Sequence, residues 1–328
     1  MKKIAIILLA ALTAVSLTAC KQQSDDKQTQ VSVPEISVQS FEESVTESSQ
    51  ESEPVSISDI PTNESIDESS IFDFIPPEIT TIDDYQYMVI NDKCRLILYT
   101  GTETRVVVPP AVTVDGKEYE TEIGAGCFKE TNITTLDLPD NITEIPESMC
   151  ENCKQLTSVS FWNVKTIGKK AFWHCKNWEF GLDDLNNGNK GVLKKIGEWA
   201  FGFSGLYGKI TVTPDMELEN GVFQACSKIS EVEVESGVTV IPERLFSEDS
   251  SLEKITLPET VTQIGMMAFF QTNVKSILIP KSVTEIGEGM ISTYMVSGGK
   301  YTGIMLGYKG TTAEEYANEN DIIFSALD

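Results

Sequence analysis

The chain has 328 residues, with 50 acidic against 25 basic side chains and a formal net charge of −25. An exterior this acidic keeps a protein soluble and argues against nucleic acid or anionic lipid as the main ligand. With one histidine in the chain, the usual recruits for acid–base and metal chemistry are also scarce.

In chain order, Lys2 and Lys3 precede an apolar run at residues 4–15, which is shorter than the ~20 residues a membrane-spanning helix needs. A basic start, a short apolar run and small residues mark a secretory signal peptide, here residues 1–19. It ends in Leu17-Thr18-Ala19-Cys20, which resembles the lipobox of bacterial lipoproteins. That resemblance implies cleavage before Cys20 and a diacylglyceryl group on its thiol. Two acyl chains hold a membrane stably where one is marginal, so Cys20 is the expected lipidation site and the lipid the only membrane contact. The expected location is the outer face of the cytoplasmic membrane. Residues 21–75 then change abruptly to Ser, Glu, Asp, Gln, Thr and Pro, with 13 acidic residues and 2 lysines. Such a segment buries too little apolar surface to offset chain entropy, so residues 20–75 read as a lipidated cysteine followed by a disordered tether. An ideal coil of that length spans ~40 Å and a stretched one at most ~190 Å. This suits lifting a domain into or through a cell wall, hence a Gram-positive cell.

From residue 76 onward the chain repeats itself every 22 to 23 residues. The clearest copy is LEKITLPETVTQIGMMAFFQT from Leu252, followed by VKSILIPKSVTEIGEGM from Val274; earlier copies start at Ile229, Leu156 and Ile133. Within a copy, Leu252, Ile255 and Leu257 alternate with Lys254 and Thr256 as in a half-buried strand, which stops at Pro258. Residues 261–264 read as a second short strand, Gly265 as a turn, and Ala268-Phe269 as a plug in the return loop. Corresponding plugs are Ala171-Phe172, Ala200-Phe201, Val222-Phe223 and Leu245-Phe246. A unit this small cannot bury its own apolar face and must stack on its neighbours, each Phe beneath the next. Two copies depart from the pattern: residues 178–193 carry EFGLDDLNNGNKG where a strand belongs, and Met216-Glu217-Leu218-Glu219-Asn220 loses the second-strand signal.

The strand-Pro, VTxIG and AFxxC elements, in this combination and register, resemble the BspA-like leucine-rich-repeat family of bacterial surface proteins over residues 79–328. The resemblance implies a leucine-rich-repeat solenoid, mainly β with short helical or loop returns and stacked parallel strands. Its expected parts are an N-terminal β-hairpin cap at 76–124, repeats at 125–291 and a C-terminal β-α-β cap at 292–328. YQYMVI, CRLILY and TRVVVPP read as the opening strands; in the tail, Thr312 with Glu315 three residues on reads as a helix cap.

Cys150-Glu151-Asn152-Cys153 is a C-x-x-C, a redox or metal signature when seen alone. Repeat alignment puts Cys150 at the Phe plug and Cys153 at a position shared with Cys175, Ser204, Cys226 and Thr272. A ladder of small buried residues accounts for both, and a disulfide between Cys153 and Cys175 on adjacent rungs is the open alternative in an exported protein. His174, beside Trp173, reads as a solvated surface group. No P-loop, dinucleotide fingerprint, H-E-x-x-H or serine elbow occurs, so neither an enzyme nor a cofactor is expected.

One window stands apart. Residues 154–209 hold nine lysines against four acidic residues, and all four tryptophans, Trp162, Trp173, Trp178 and Trp199, with Tyr207 at the edge. Lys169 and Lys170 fall in the turn before Ala171, where side chains should face solvent. Indoles and lysines patching an irregular rung explain this; so does a ligand patch of Trp162, Lys169, Lys170, Trp173, Trp199 and Tyr207, since Trp and cationic groups favour recognition hot spots. Trp also stacks on sugar rings. The expected function is non-covalent recognition by a monomeric, lipid-anchored surface protein of an extracellular protein or glycan, with adhesion implied by the family. The alternative is a structural or envelope-organising lipoprotein bound to the cell's own wall.

Overall fold

The structure, a computed structural model, describes residues 78–182, 193–291 and 301–327. The signal peptide, Cys20, the tether and most of the irregular stretch after Phe180 lie outside the described residues.

The repeats stack as a solenoid of parallel strands. In one column, Arg105–Val107, Thr135–Asp137 and Ser158–Ser160 pair in register, and further along so do Tyr207–Val212, Lys228–Val234 and Lys254–Thr256. A second column holds the short strands Glu144–Ile145, Thr166–Ile167, Lys195–Ile196 and Glu217–Leu218, then Val240–Ile241, Gln263–Ile264 and Glu285–Ile286. The inward residue of each strand is a β-branched or leucine side chain, such as Leu136, Val159, Ile145 and Ile196, and is buried. The stretch around Met216 keeps its second strand after all: Glu217 and Leu218 pair with Lys195 and Ile196, and Leu218 fills the isoleucine position from the same side. The irregularity falls one strand earlier, as a register shift between Gly208 and Lys209.

The return loops carry the spine. Phe172, Phe201, Phe223, Phe246 and Phe269 stack face to face with centroids 5.4–6.2 Å apart. Each plug also donates its backbone N–H to the next rung, as Phe201 does to Val222 O at 3.0 Å. Cys150 does occupy a plug position, donating to Ala171 O at 2.8 Å. The ring it lacks is made up by Phe161 and Trp178, which pack on Phe172 at 5.7 and 4.8 Å.

The position three residues after the plug is more than a small buried slot. Cys153, Cys175 and Cys226 donate their thiols to the carbonyls of Phe128, Cys150 and Phe201, each in the preceding rung, at 2.9–3.1 Å. Thr131 and Thr272 do the same for Phe128 and Phe269 within their own rungs. Cys153 and Cys175 are both free thiols: each is committed to a different carbonyl, which removes the open disulfide. Asp249 takes the same position, fully buried, and its Oδ1 accepts from Cys226 N–H at 2.7 Å.

Ahead of the repeats lies a mixed five-stranded sheet built from Ile79–Ile82, Tyr85–Ile90, Lys93–Tyr99, Ala111–Val114 and Lys117–Ile123. Arg105–Val107 leaves that sheet to join the repeat column. At the other end, Ile304–Tyr308 and Ile323–Leu327 pair in parallel around the helix Thr312–Glu319. The cap of this helix sits one residue earlier than the sequence suggests. Thr311 is the N-cap, but its hydroxyl turns back to Tyr308 O at 2.6 Å, and Glu314 rather than Glu315 reaches back, accepting from Gly310 N–H at 2.7 Å. Among the described residues no helix is long and apolar enough to cross a membrane.

Candidate ligand-binding surface

Every return loop bends through left-handed residues at two fixed places. Two residues before the plug these are Gly126, Ser148, Lys170, Trp199, Gly221, Arg244, Met267 and Gly289; two residues after it they are Glu130, Asn152, His174, Phe203, Ala225, Glu248 and Gln271. A non-glycine residue in this conformation costs roughly 1–2 kcal/mol, yet glycine holds these positions only at Gly126, Gly221 and Gly289, so the fold imposes the bend whatever the residue. The turn geometry throws the side chains at these positions outward in two parallel rows.

In two successive rungs those rows, with Trp173 beside His174, carry rings and cations. Trp173 and Trp199 are half-buried, each lying against a glycine of the following rung, Gly202 and Gly221, where a Cβ would stand 3.1 and 2.4 Å from the indole. Lys170 Nζ lies between the indoles, 5.2 Å from each centroid, and Lys169 Nζ lies 5.2 Å from Trp199. Contacts of this kind attract a cation to the ring face. His174 stacks on Phe203 with centroids 4.7 Å apart and planes 6° apart, and meets Trp173 edge-on at 3.9 Å. Burial, then the nearby charges of Lys176 and Lys154, lower its pKa, so the imidazole is neutral at pH 7. His174 is thus a surface group, but one half-covered by neighbours rather than free in solvent: the rung offset places it on Phe203, 29 residues away, across the irregular copy.

The structure thus joins Lys169, Lys170, Trp173 and Trp199 and adds His174 and Phe203, with Lys154 and Lys176 at the rim. Trp162, 57% exposed, and Tyr207, 42% exposed, instead sit at the first strand column, one beyond Ser158–Ser160 and the other opening Tyr207–Val212. Trp178 is core. Nor do Lys169 and Lys170 simply face solvent, since one is bonded and the other sandwiched.

The basic character of the window is also smaller in space than in sequence. Lys169 pairs with Glu198, Lys194 with Asp215 at 3.2 Å, Lys195 with Glu217 and Glu219 at 2.7 and 2.9 Å, and Lys209 with Glu233. Hydrogen bonds to Glu217, then Glu219, push Lys195 up to about 12. Most of these carboxylates lie beyond residue 209 in the chain but stack directly on the lysines. What remains is an aromatic platform with a cationic rim. Among the described residues no group of three or more His, Cys, Asp or Glu is placed to hold a metal ion.

The stacked rungs, the plugs and the turn ladder match a known pattern. A profile for the BspA type leucine rich repeat region matches six copies over residues 112–187 and 189–294, more than half of the chain. The chain belongs to the BspA-type leucine-rich-repeat family. Among solved structures, a leucine-rich repeat protein from Bacteroides ovatus ATCC 8483 is similar at 21% identity with a TM-score of 0.54, covering 75% of this chain and 67% of that one. A leucine rich cell surface protein from Faecalibacterium prausnitzii A2-165 is 27% identical with a TM-score of 0.43, covering 66% of this chain; the matched region spans 52% of that protein's length. Comparison with curated proteins finds no match. BspA-type repeats form scaffolds of the kind used for non-covalent recognition.

Proposed function

We propose that this BspA-type protein is held by a lipid on Cys20 at the outer face of the cell membrane and acts as an adhesin. On this reading the platform of Trp173, Trp199, His174 and Phe203, with Lys154, Lys170 and Lys176 around it, engages an extracellular protein or glycan. The observation that carries the reading is the cluster of rings and cations itself: Lys170 Nζ lies 5.2 Å from the centroids of both Trp173 and Trp199, and His174 stacks on Phe203 at 4.7 Å. Rings beside cations recognise apolar faces and sugar rings alike.

The test is binding of the full chain, wild type against Trp173→Ala and Trp199→Gly, to immobilised extracellular-matrix protein, to host-cell glycans and to purified wall of the producing cell. The expected result is matrix or glycan binding above wall binding, lost in both variants. Binding that survives both with the fold intact overturns the platform, and a preference for wall turns the protein into an envelope-organising one.

A further inference from the structure

Along the first strand column the outward side changes character towards its C-terminal end. Earlier strands cover it with paired charges, Lys209 with Glu233 and Lys254 with Glu231. The last three strands, Ser276–Leu278, Ile304–Tyr308 and Ile323–Leu327, contain no charged residue, and their outward positions hold Leu278, Ile304, Leu306, Ile323 and Leu327. These make one apolar face, since Leu278 stands beside Leu306 and Ile304 beside Ile323, which is 61% exposed.

The face ends in an open edge. Ile323–Leu327 is the outermost strand of its sheet, and among the described residues nothing pairs with its far side. The ladder decides which groups that side presents. Ile304 N–H donates to Lys275 O and Leu306 O accepts from Ile279 N–H, each at 2.9 Å, so both residues face the strand Ser276–Leu278. Peptide groups along a strand turn alternately to its two sides, so Met305 and Gly307 face the last strand, where Ile323, Ser325 and Leu327 face back. The N–H and C=O groups of Phe324 and Ala326 therefore point out along the edge. Such a row is a template for another strand, and chains that must avoid pairing blunt it with lysine, proline, a bulge or a cover. Ile323-Phe324-Ser325-Ala326-Leu327 has neither lysine nor proline, and it pairs with Ile304–Tyr308 without a register shift.

The edge is complementary to itself. A two-fold axis through Ser325 sets two copies antiparallel, with Phe324 opposite Ala326 and Ile323 opposite Leu327 in both directions. Each Phe324–Ala326 pair then exchanges both of its hydrogen bonds through the outward peptide groups, a ring meets a methyl rather than a ring, and the two apolar faces run on across the axis. Centring on Phe324 would instead oppose two rings and match Ala326 with Ile322, whose N–H is already bonded to Ala317 O at 2.8 Å. We propose that the chain dimerises through Ile323–Leu327, as an antiparallel pair centred on Ser325, in place of the monomer expected from its sequence. The pairing uses atoms separate from the turn platform and stands or falls apart from it.

The experiment is sedimentation velocity on the mature chain, residues 20–328, with Cys20→Ser and no lipid, over a series rising to about 1 mM. The mass moves reversibly from one chain towards two. Ala326→Pro deletes an N–H that bonds nothing within the chain, at an edge position where proline is tolerated. It weakens dimerisation at least about tenfold, while the melting temperature of the dilute chain holds. Ser325→Lys, at an exposed position, sets two ammonium groups face to face across the axis and abolishes the dimer. Ser325→Cys tests the register. Residues on the axis form a non-bonded pair with Cα atoms about 4.5 Å apart, within reach of a disulfide, so mild oxidation cross-links this variant. Ile323→Cys, ~13 Å from its counterpart, stays uncrosslinked, and the buried native cysteines give no background. A single-chain mass at every concentration overturns the proposal and leaves the edge to a strand of another protein. Dimerisation of Ala326→Pro and Ser325→Lys like wild type, or cross-linking of Ile323→Cys as fast as Ser325→Cys, overturns it equally.

Discussion

Trp199, which sits in a left-handed turn, and Asp249, which breaks the local rule of its position, can both be tested singly. Trp199→Gly trades lost contact with Lys169, Lys170 and Gly221 for relief of a left-handed backbone that glycine adopts freely. The expected change in unfolding free energy is within about 1 kcal/mol, read by urea denaturation. A loss of several kcal/mol would make Trp199 a structural residue. Asp249 holds a position given elsewhere to Cys and Thr donors. Burial pushes its carboxyl well above the ordinary 3.8, against the lowering effect of the Cys226 N–H bond, and Oδ2 has no partner. The native state therefore keeps a proton that the unfolded chain releases near pH 4. Stability from this group is full below that pH and declines as pH rises towards the folded pKa, by about 1.4 kcal/mol per pH unit. Cys226 and Glu248 are the titratable groups beside it. Asp249→Asn, which cannot ionise, is expected to flatten the decline seen in urea midpoints as pH rises above about 4; an unchanged slope in that variant would refute the buried-acid account.

At the scale of the element, the rung is the unit of stability. Phe201 lies between Phe172 and Phe223 at 5.5 and 6.2 Å and meets Trp178 edge-on at 5.9 Å. Phe201→Ala is expected to cost about 3–5 kcal/mol, and because rungs depend mainly on their neighbours, hydrogen exchange should rise first in the adjoining rungs. Uniform loss of protection along the whole array would contradict this. The plug column, both strand columns and the C-terminal β-α-β order were legible in the sequence, because apolar periodicity and the AF pair survive without knowledge of neighbours. The thiol-to-carbonyl ladder was not, since small and buried describes Cys153 equally well whether it packs, bridges or donates. His174 was missed for a related reason. The register that aligns Phe172 with Phe201 also aligns His174 with Phe203, but register alone does not say whether a side chain lies on its neighbour or turns to solvent.

For the whole molecule, the same lesson applies to charge. A window counted along the chain from 154 to 209 looks cationic, yet Asp215, Glu217, Glu219 and Glu233 stack on its lysines. Only charges sorted by rung describe the surface a partner meets. All six cysteines among the described residues are buried and free; burial raises Cys127, Cys150 and Cys175, and although a hydrogen bond with Cys150 lowers Cys153, that thiol too is fully covered. Maleimide labelling can therefore report on Cys20 alone. Protein purified from the producing cell should take up no label until denatured, whereas chain made in a reducing cytoplasm, without lipid, should take up one equivalent under native conditions. Cys20→Ser should move the protein from the membrane fraction to the medium. Native-state labelling of the cell-derived protein, or membrane retention of the variant, would refute lipidation.

The lysine–carboxylate pairs between rungs have a consequence for how such an array can change length. The apolar spine is nearly the same in every copy, so excising one whole copy would let the plugs and strands close up again. The charges would not close up. Without the rung of Glu217 and Glu219, Lys195 would come to face the rung of Val240 instead of its present partners. The rungs are alike inside and individually lettered outside, and it is the lettering that fixes their order.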